Sequence, residues 1–333
     1  MSRIVVLGSG AWGTAIALSL CRCGGHQVTL WSHRADEAAS IAAAHENLLF
    51  LPGIPLPAEL AITGDDARVA QAEIVVSVNP SEFLRPTIAR LRPQLHAGQI
   101  LVSATKGVER KTYLRMTQLI AETLAGIEIP IGAFSGPSFA LEVAQGQPTA
   151  VTVAFARRSI STRIQKEFSS ESLRLYTTSD IVGVELGGAL KNVIAIAAGV
   201  AAGMGLGYNS AAALITRGIA EITRLAVACG GRRETLAGLA GAGDLVLTCT
   251  GSLSRNRTVG KALGEGRKLP EILESLGGKV AEGVLTTEAA LGLARQYEIE
   301  MPITEQMGLI LNEGKDPREA IHDLMLRPGK DEA

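Results

Sequence analysis

The chain has 333 residues, 47% of them hydrophobic, which is ample for two buried cores, and a formal net charge of −1. That balance gives no basic footprint for nucleic acid and no polybasic membrane patch, so any anion is held by a few local groups. The four cysteines (Cys21, Cys23, Cys229, Cys249) show no CxxC spacing and no nearby histidine cluster, which argues against disulfides or a metal site and for reduced thiols in a cytoplasmic protein.

The N-terminus, MSRIVVLGSGAWGTAIALSLC, has the basic start and apolar core of a secretory leader. Gly8, Gly10 and Gly13 break that core, and Arg22 and His26 follow without a convincing cleavage site. Neither a leader nor a membrane span is expected. Residues 4–8 read instead as a strand, and GSGAWG (8–13) as the turn into a helix. In that context GxGxxG marks a dinucleotide site. The first glycine permits the turn, the second admits a pyrophosphate, the third packs helix on strand, and the helix N-terminus faces the anion.

Further strands are predicted at 26–31, 74–78, 100–104 and 130–136, alternating with helical stretches, as in a parallel α/β sheet. Segments 149–155 and 173–178 read as later strands, candidates for antiparallel additions. The second strand ends in Trp31-Ser32-His33-Arg34, with no acid before Asp36. An NAD site usually places an acid there for the ribose hydroxyl. Arg34, helped by His33, suits a 2′-phosphate, which favours NADPH over NADH without excluding NADH. Three turns follow later strands: NPS (79–81) with Pro80, SATKGVE (103–109) with Lys106, and SGPSFA (135–140) with Gly136 and Ser138. Ligands of open α/β sheets sit beyond the carboxyl ends of strands, so these loops are expected to line one crevice.

Past Ser179-Asp180, a candidate N-cap, the chain turns to Ala, Leu and Gly at helical spacing. This predicts a dinucleotide-binding domain over 1–178 and a helical domain over 179–333. LGGALKNVIAIAAG (186–199) is apolar except for Lys191-Asn192, and its interruptions argue against a bilayer span. Burying an ammonium and an amide is expensive unless something pairs with them. A snorkelling lysine is the ordinary explanation for a lone Lys in an apolar helix, yet it gives no reason for a Lys-Asn pair among so many small residues. In AGLAGAGDLVLTCT (237–250), Asp244 and Thr248 share a face if the segment is helical. Ser254 is a further candidate N-cap, with Arg255 and Asn256 in the first turn, where an Arg fork suits a phosphate. Alone, that segment would read as a capped surface helix.

Together, GSGAWGTA, SATKGVE, SGPSFA, VELGGALKNVIAIAAG, ALITRGIAEITRL, AGLAGAGDLVLTCT and SRNRTVG resemble, in order, the motifs of bacterial NAD(P)-dependent glycerol-3-phosphate dehydrogenases. The resemblance covers nearly the whole chain. It implies a Rossmann domain followed by a helical domain, a homodimer, and NAD(P)H-dependent reduction of dihydroxyacetone phosphate to sn-glycerol 3-phosphate for phospholipid synthesis. It implies that Lys191 transfers the proton and that Lys106, Gly136, Ser138, Asp244, Ser254, Arg255 and Asn256 contact substrate; Lys191, Asn192 and Thr248 are expected among the substrate contacts, and Lys106 and Asp244 are expected to be catalytic with Lys191. Trp12, His33, Ala140, Arg255, Val280 and Glu282 match positions that touch the cofactor, joined by the glycine loop, Pro80 and Lys106. Ala11 stands where the family often has Ser, Asn79 where an apolar residue is common, and Tyr208 in place of an acid. A 3-hydroxy-acid dehydrogenase would also combine these domains with a helix lysine, but would leave SRNR no phosphate to bind. A non-catalytic redox sensor would need neither Lys191 nor Asp244.

Overall fold

The computed structural model describes residues 1–276, 281–329 and 331. Its strands, in chain order, are β1 (Arg3–Leu7), β2 (Gln27–Trp31), β3 (Glu46–Asn47), β4 (Leu51–Pro55), β5 (Ala61–Thr63), β6 (Ile74–Ser77), β7 (Ile100–Ser103), β8 (Ile131–Ser135), β9 (Thr149–Ala154) and β10 (Leu173–Thr178). Eight form one sheet in the order β10-β9-β8-β7-β6-β1-β2-β5, and β3 and β4 form a separate hairpin. The sheet reverses direction once, between β8 and β9, which are antiparallel; β10 runs parallel to β9. The strands β3 to β5 carried no sequence signal: β3 and β5 have two and three residues, too few for an alternation, and β4 is the Pro- and Gly-containing LPGIP.

Strands β6 and β7 are buried along their whole length. On β1, Ile4 and Val6 face one core while Val5 and Leu7 face another. Burial on both faces is why these strands read as continuous β-branched runs. The strand order reverses at β1, which pairs with β2 on one side and β6 on the other. A crevice therefore opens beyond their carboxyl ends. Gly8 turns into it with φ +117. A Cβ on Gly13 would sit 1.8 Å from the Gly8 carbonyl oxygen, so only glycine lets this helix start so close to the strand.

Beyond β10 the described chain is helical, giving a Rossmann-like sheet domain followed by a helical one. Asp180 caps the central helix Ile181–Gly203: one carboxylate oxygen accepts from the Gly183 amide at 2.8 Å and the other from the Arg232 amide at 2.8 Å. Every residue from Gly183 to Val200 is buried. Fully buried Ile194 and Ile196 each contribute about 1.5–3 kcal/mol of burial energy. The helix Arg255–Gly264 crosses it at backbone contact, since a Cβ on Gly260 would lie 1.9 Å from the Ile196 carbonyl oxygen.

The central helix is apolar for a reason other than a bilayer. Its length and mean hydropathy of 1.6 are sufficient to cross a membrane, despite Lys191-Asn192 and the glycines. Its apolar surface is instead taken up by protein, with 89% of the apolar window buried.

Candidate active site

A cleft of about 910 Å³ runs from the glycine loop to Lys191 between the two domains. At its sheet end, the helix Ala11–Arg22 starts from Gly10 with no side-chain cap, so its first amides are open to an anion. Nothing lies within 4 Å of where a Gly10 Cβ would be, and the buried indole N–H of neighbouring Trp12 has no partner among the described residues. Free amides, an open approach and a cleft of this length fit a dinucleotide.

Gly8, Ala11, Trp12, Gly13, His33, Pro80, Lys106 and Ala140 all line the cleft. Arg34 does not: its guanidinium pairs with Asp36 on the surface. Arg90 reaches the cleft beside His33 instead. It donates to the His33 carbonyl at 2.9 Å, lies 5.2 Å over the Trp31 ring and is held by both oxygens of Asp66. Arg90 sits in the last turn of the helix Ser81–Leu91, outside every motif the sequence displays. The spacing of Phe83, Pro86, Thr87 and Arg90, all cleft-lining, is nevertheless one helical face. Glu37, also missed, lines the cleft and accepts the Ser9 hydroxyl. Val280 lies outside the described residues.

At the other end, Asp244 is 1% exposed, and two ammonium groups converge on it. Lys191 donates to one carboxylate oxygen, and Lys106 donates to the other at 2.7 Å. Lys191 also donates to Thr248 Oγ1 at 2.7 Å, while that hydroxyl donates to the Asp244 carbonyl oxygen at 2.6 Å. Helix Asp244–Thr250 thus presents both side chains on one face, and Lys191 meets them from the central helix. Lys191, Lys106 and Thr248 line the cleft, whereas Asp244 is the buried base beneath them. Gly136, at φ +152, stands behind Lys106 and accepts from it through its carbonyl at 3.4 Å. Ser138 lines the cleft and donates to that same carbonyl at 2.9 Å.

Burial lowers the Lys191 pKa to about 8; Asp244 opposes the shift and Lys106 reinforces it. Desolvation therefore outweighs the carboxylate. Lys191 sits near the point where it can both give and take a proton.

Ser254, Arg255, Asn256 and Asn192 complete the wall. The Ser254 hydroxyl caps its helix by accepting from the Arg257 amide at 3.2 Å. Asn256 is locked by two contacts: its amide donates to Asn192 Oδ1 at 3.0 Å, and its oxygen accepts from the Gly283 amide at 2.9 Å. Glu282, next along the chain, lines the cleft, and burial pushes its carboxyl up to about 7 against the pull of Arg255, Lys106 and Lys191.

Two family models divide the chain. The N-terminal part of NAD-dependent glycerol-3-phosphate dehydrogenase matches residues 3–161, and the C-terminal part matches residues 180–322. The chain belongs to this family. Among its relatives, the glycerol-3-phosphate dehydrogenase (NAD(P)+) of Acidobacterium capsulatum is 58% identical, covering 100% of both chains. That of Koribacter versatilis is 56% identical, over 100% of this chain and 99% of its own. The crystal structure of glycerol-3-phosphate dehydrogenase from Coxiella burnetii superposes with a TM-score of 0.93 at 40% identity, covering 98% of this chain and 99% of that one. As a member of the family, the chain is an NAD(P)-dependent oxidoreductase.

Proposed function

We propose that this dehydrogenase reduces dihydroxyacetone phosphate to sn-glycerol 3-phosphate, reversibly, with Lys191 as the proton donor and acceptor. The observation that carries the reading is the pair of ammonium groups on one buried carboxylate at the end of a dinucleotide cleft, with Arg255 in the same wall. A nicotinamide cofactor held along the cleft by the glycine loop would supply or take the hydride. Lys191 and Lys106 polarise the C2 carbonyl and stabilise negative charge on its oxygen, and Lys191 delivers the proton. Asp244 holds both ammonium groups in place. Arg255, in the first turn of its helix, pairs with the substrate phosphate beside open backbone amides.

The substrate wall is shared between residues 1–178, which bring Lys106 and Ser138, and residues 179–333, which bring Lys191, Asp244 and Arg255. A cytoplasmic homodimer is the setting we assign, on family likeness. The product feeds glycerophospholipid synthesis. The test is NADPH consumption on adding dihydroxyacetone phosphate, with unphosphorylated dihydroxyacetone and a 3-keto acid as controls. Rapid turnover of the phosphate alone supports the assignment; equal turnover of the keto acid rejects it.

A further inference from the structure

Beside Lys106 lies a second, smaller chamber of about 10 Å³, the space of one water-sized sphere. Its wall includes Ser103, Thr105, Lys106, Ser135 and Glu185, and Thr105 and Lys106 line the substrate cleft as well. Ser103 and Ser135 end the adjacent strands β7 and β8, 2% and 4% exposed. Neither hydroxyl has a hydrogen-bond partner among the described residues. One unpaired buried hydroxyl costs about 1–3 kcal/mol, so two beside one polar chamber need an explanation.

The surroundings fix these hydroxyls in place. A Cβ on Gly188 of the central helix would lie 2.4 Å from Ser135 Oγ and 3.7 Å from Lys106 Cγ, so glycine there makes room for both. Glu185, one helical turn from Gly188, accepts from the Thr117 amide and hydroxyl at 2.7 Å each and pairs with Arg115. Those contacts leave one carboxylate lone pair uncommitted. On the opposite side, Lys106 spends one N–H on Asp244 and a longer contact on Gly136. A hydroxyl pair and a carboxylate around a space of this size are the polar partners a buried water needs.

We infer that this chamber is a binding site for a single ordered water held by Ser103 and Ser135, and that the two serines thereby position Lys106 for substrate. They are positioning residues, since they touch neither substrate nor cofactor. The water supplies the missing partners of both hydroxyls and stiffens the wall from which Lys106 projects. Truncating the hydroxyls removes that support and leaves Lys106 held only by Asp244 and the longer contact to the Gly136 carbonyl.

Two measurements test this. A crystal structure of the unsubstituted protein, resolved well enough to show ordered solvent, is expected to show a water within hydrogen-bond distance of both Oγ atoms. A dry chamber, or both hydroxyls turned onto backbone carbonyls, overturns the site. In Ser103→Ala/Ser135→Ala, kcat/KM for dihydroxyacetone phosphate is expected to fall about fivefold to tenfold, with the KM for NADPH within about twofold. Unchanged kcat/KM for dihydroxyacetone phosphate overturns the positioning role even if the water is present. The kinetic arm rests on the proposed contact between Lys106 and substrate, and the crystallographic arm does not, so failure of either reading is distinguishable.

Discussion

The two ends of the cleft are made of opposite materials. At the sheet end the binding surface is backbone: uncapped amides of the helix Ala11–Arg22, reached because Gly8, Gly10 and Gly13 carry no side chains. At the helical end it is side chain: two lysines on a carboxylate that is almost wholly buried. A backbone site depends on space, so adding one carbon damages it. A side-chain site depends on charge balance in a dry setting, so removing one charge damages it and leaves the fold largely in place.

The largest effect expected from this contrast is at Lys191. Lys191→Ala should reduce turnover by about 10³-fold or more, combining loss of general acid catalysis with loss of charge stabilisation. NADPH affinity, measured by fluorescence titration, should change by less than about threefold, because the backbone end is untouched. Arg255→Ala should come next: kcat/KM for dihydroxyacetone phosphate falls about a hundredfold, as for loss of a charge-assisted pair. The slow reaction of unphosphorylated dihydroxyacetone should be unaffected, and an equal loss for both ketones would remove Arg255 from the phosphate.

The glycines split the backbone end in two. Gly10→Ala points its methyl into open space, so thermal stability should hold while the KM for NADPH rises about tenfold. Gly13→Ala collides with the Gly8 carbonyl and should cost about 2 kcal/mol or more in denaturant unfolding. Identical phenotypes for the two variants would break the distinction.

The smallest effect is in the pH profile. A proton donor with a pKa near 8 predicts that ketone reduction falls as pH rises through about 8. Alcohol oxidation, which needs neutral Lys191, rises through the same range. The same group affects stability. Its folded pKa lies below its unfolded value of 10.5, so between about pH 8 and 10.5 the unfolded chain binds more protons, and this contribution to stability grows with pH. Rate profiles of both directions without opposite limbs would deny Lys191 the proton.

Local spacing alone was enough to recognise much of this molecule. The glycine loop, the long buried strands, and the caps Asp180 and Ser254 each depend on residues within a few positions of one another. The chemistry of the lysine-carboxylate cluster was legible only as separate polar residues in apolar runs. Asp244 lies 53 residues from Lys191 and 138 from Lys106, and no periodicity connects them. Arg90, Glu37 and the chamber beside Lys106 were not legible at all. Arg34 shows the reverse: its position in the chain suggested a ligand, while its nearest acid, Asp36, takes the guanidinium to the surface.

The sequence by itself determined the longer elements and the order of a parallel-sheet part followed by a helical part, because strand runs, glycine turns and helix caps are decided by neighbours along the chain. The tertiary structure alone decided that the Lys191 ammonium is dry, faces Lys106 across Asp244 and titrates near 8. Burial and Coulomb interactions act through space, between helices and strands that only the folded core brings together.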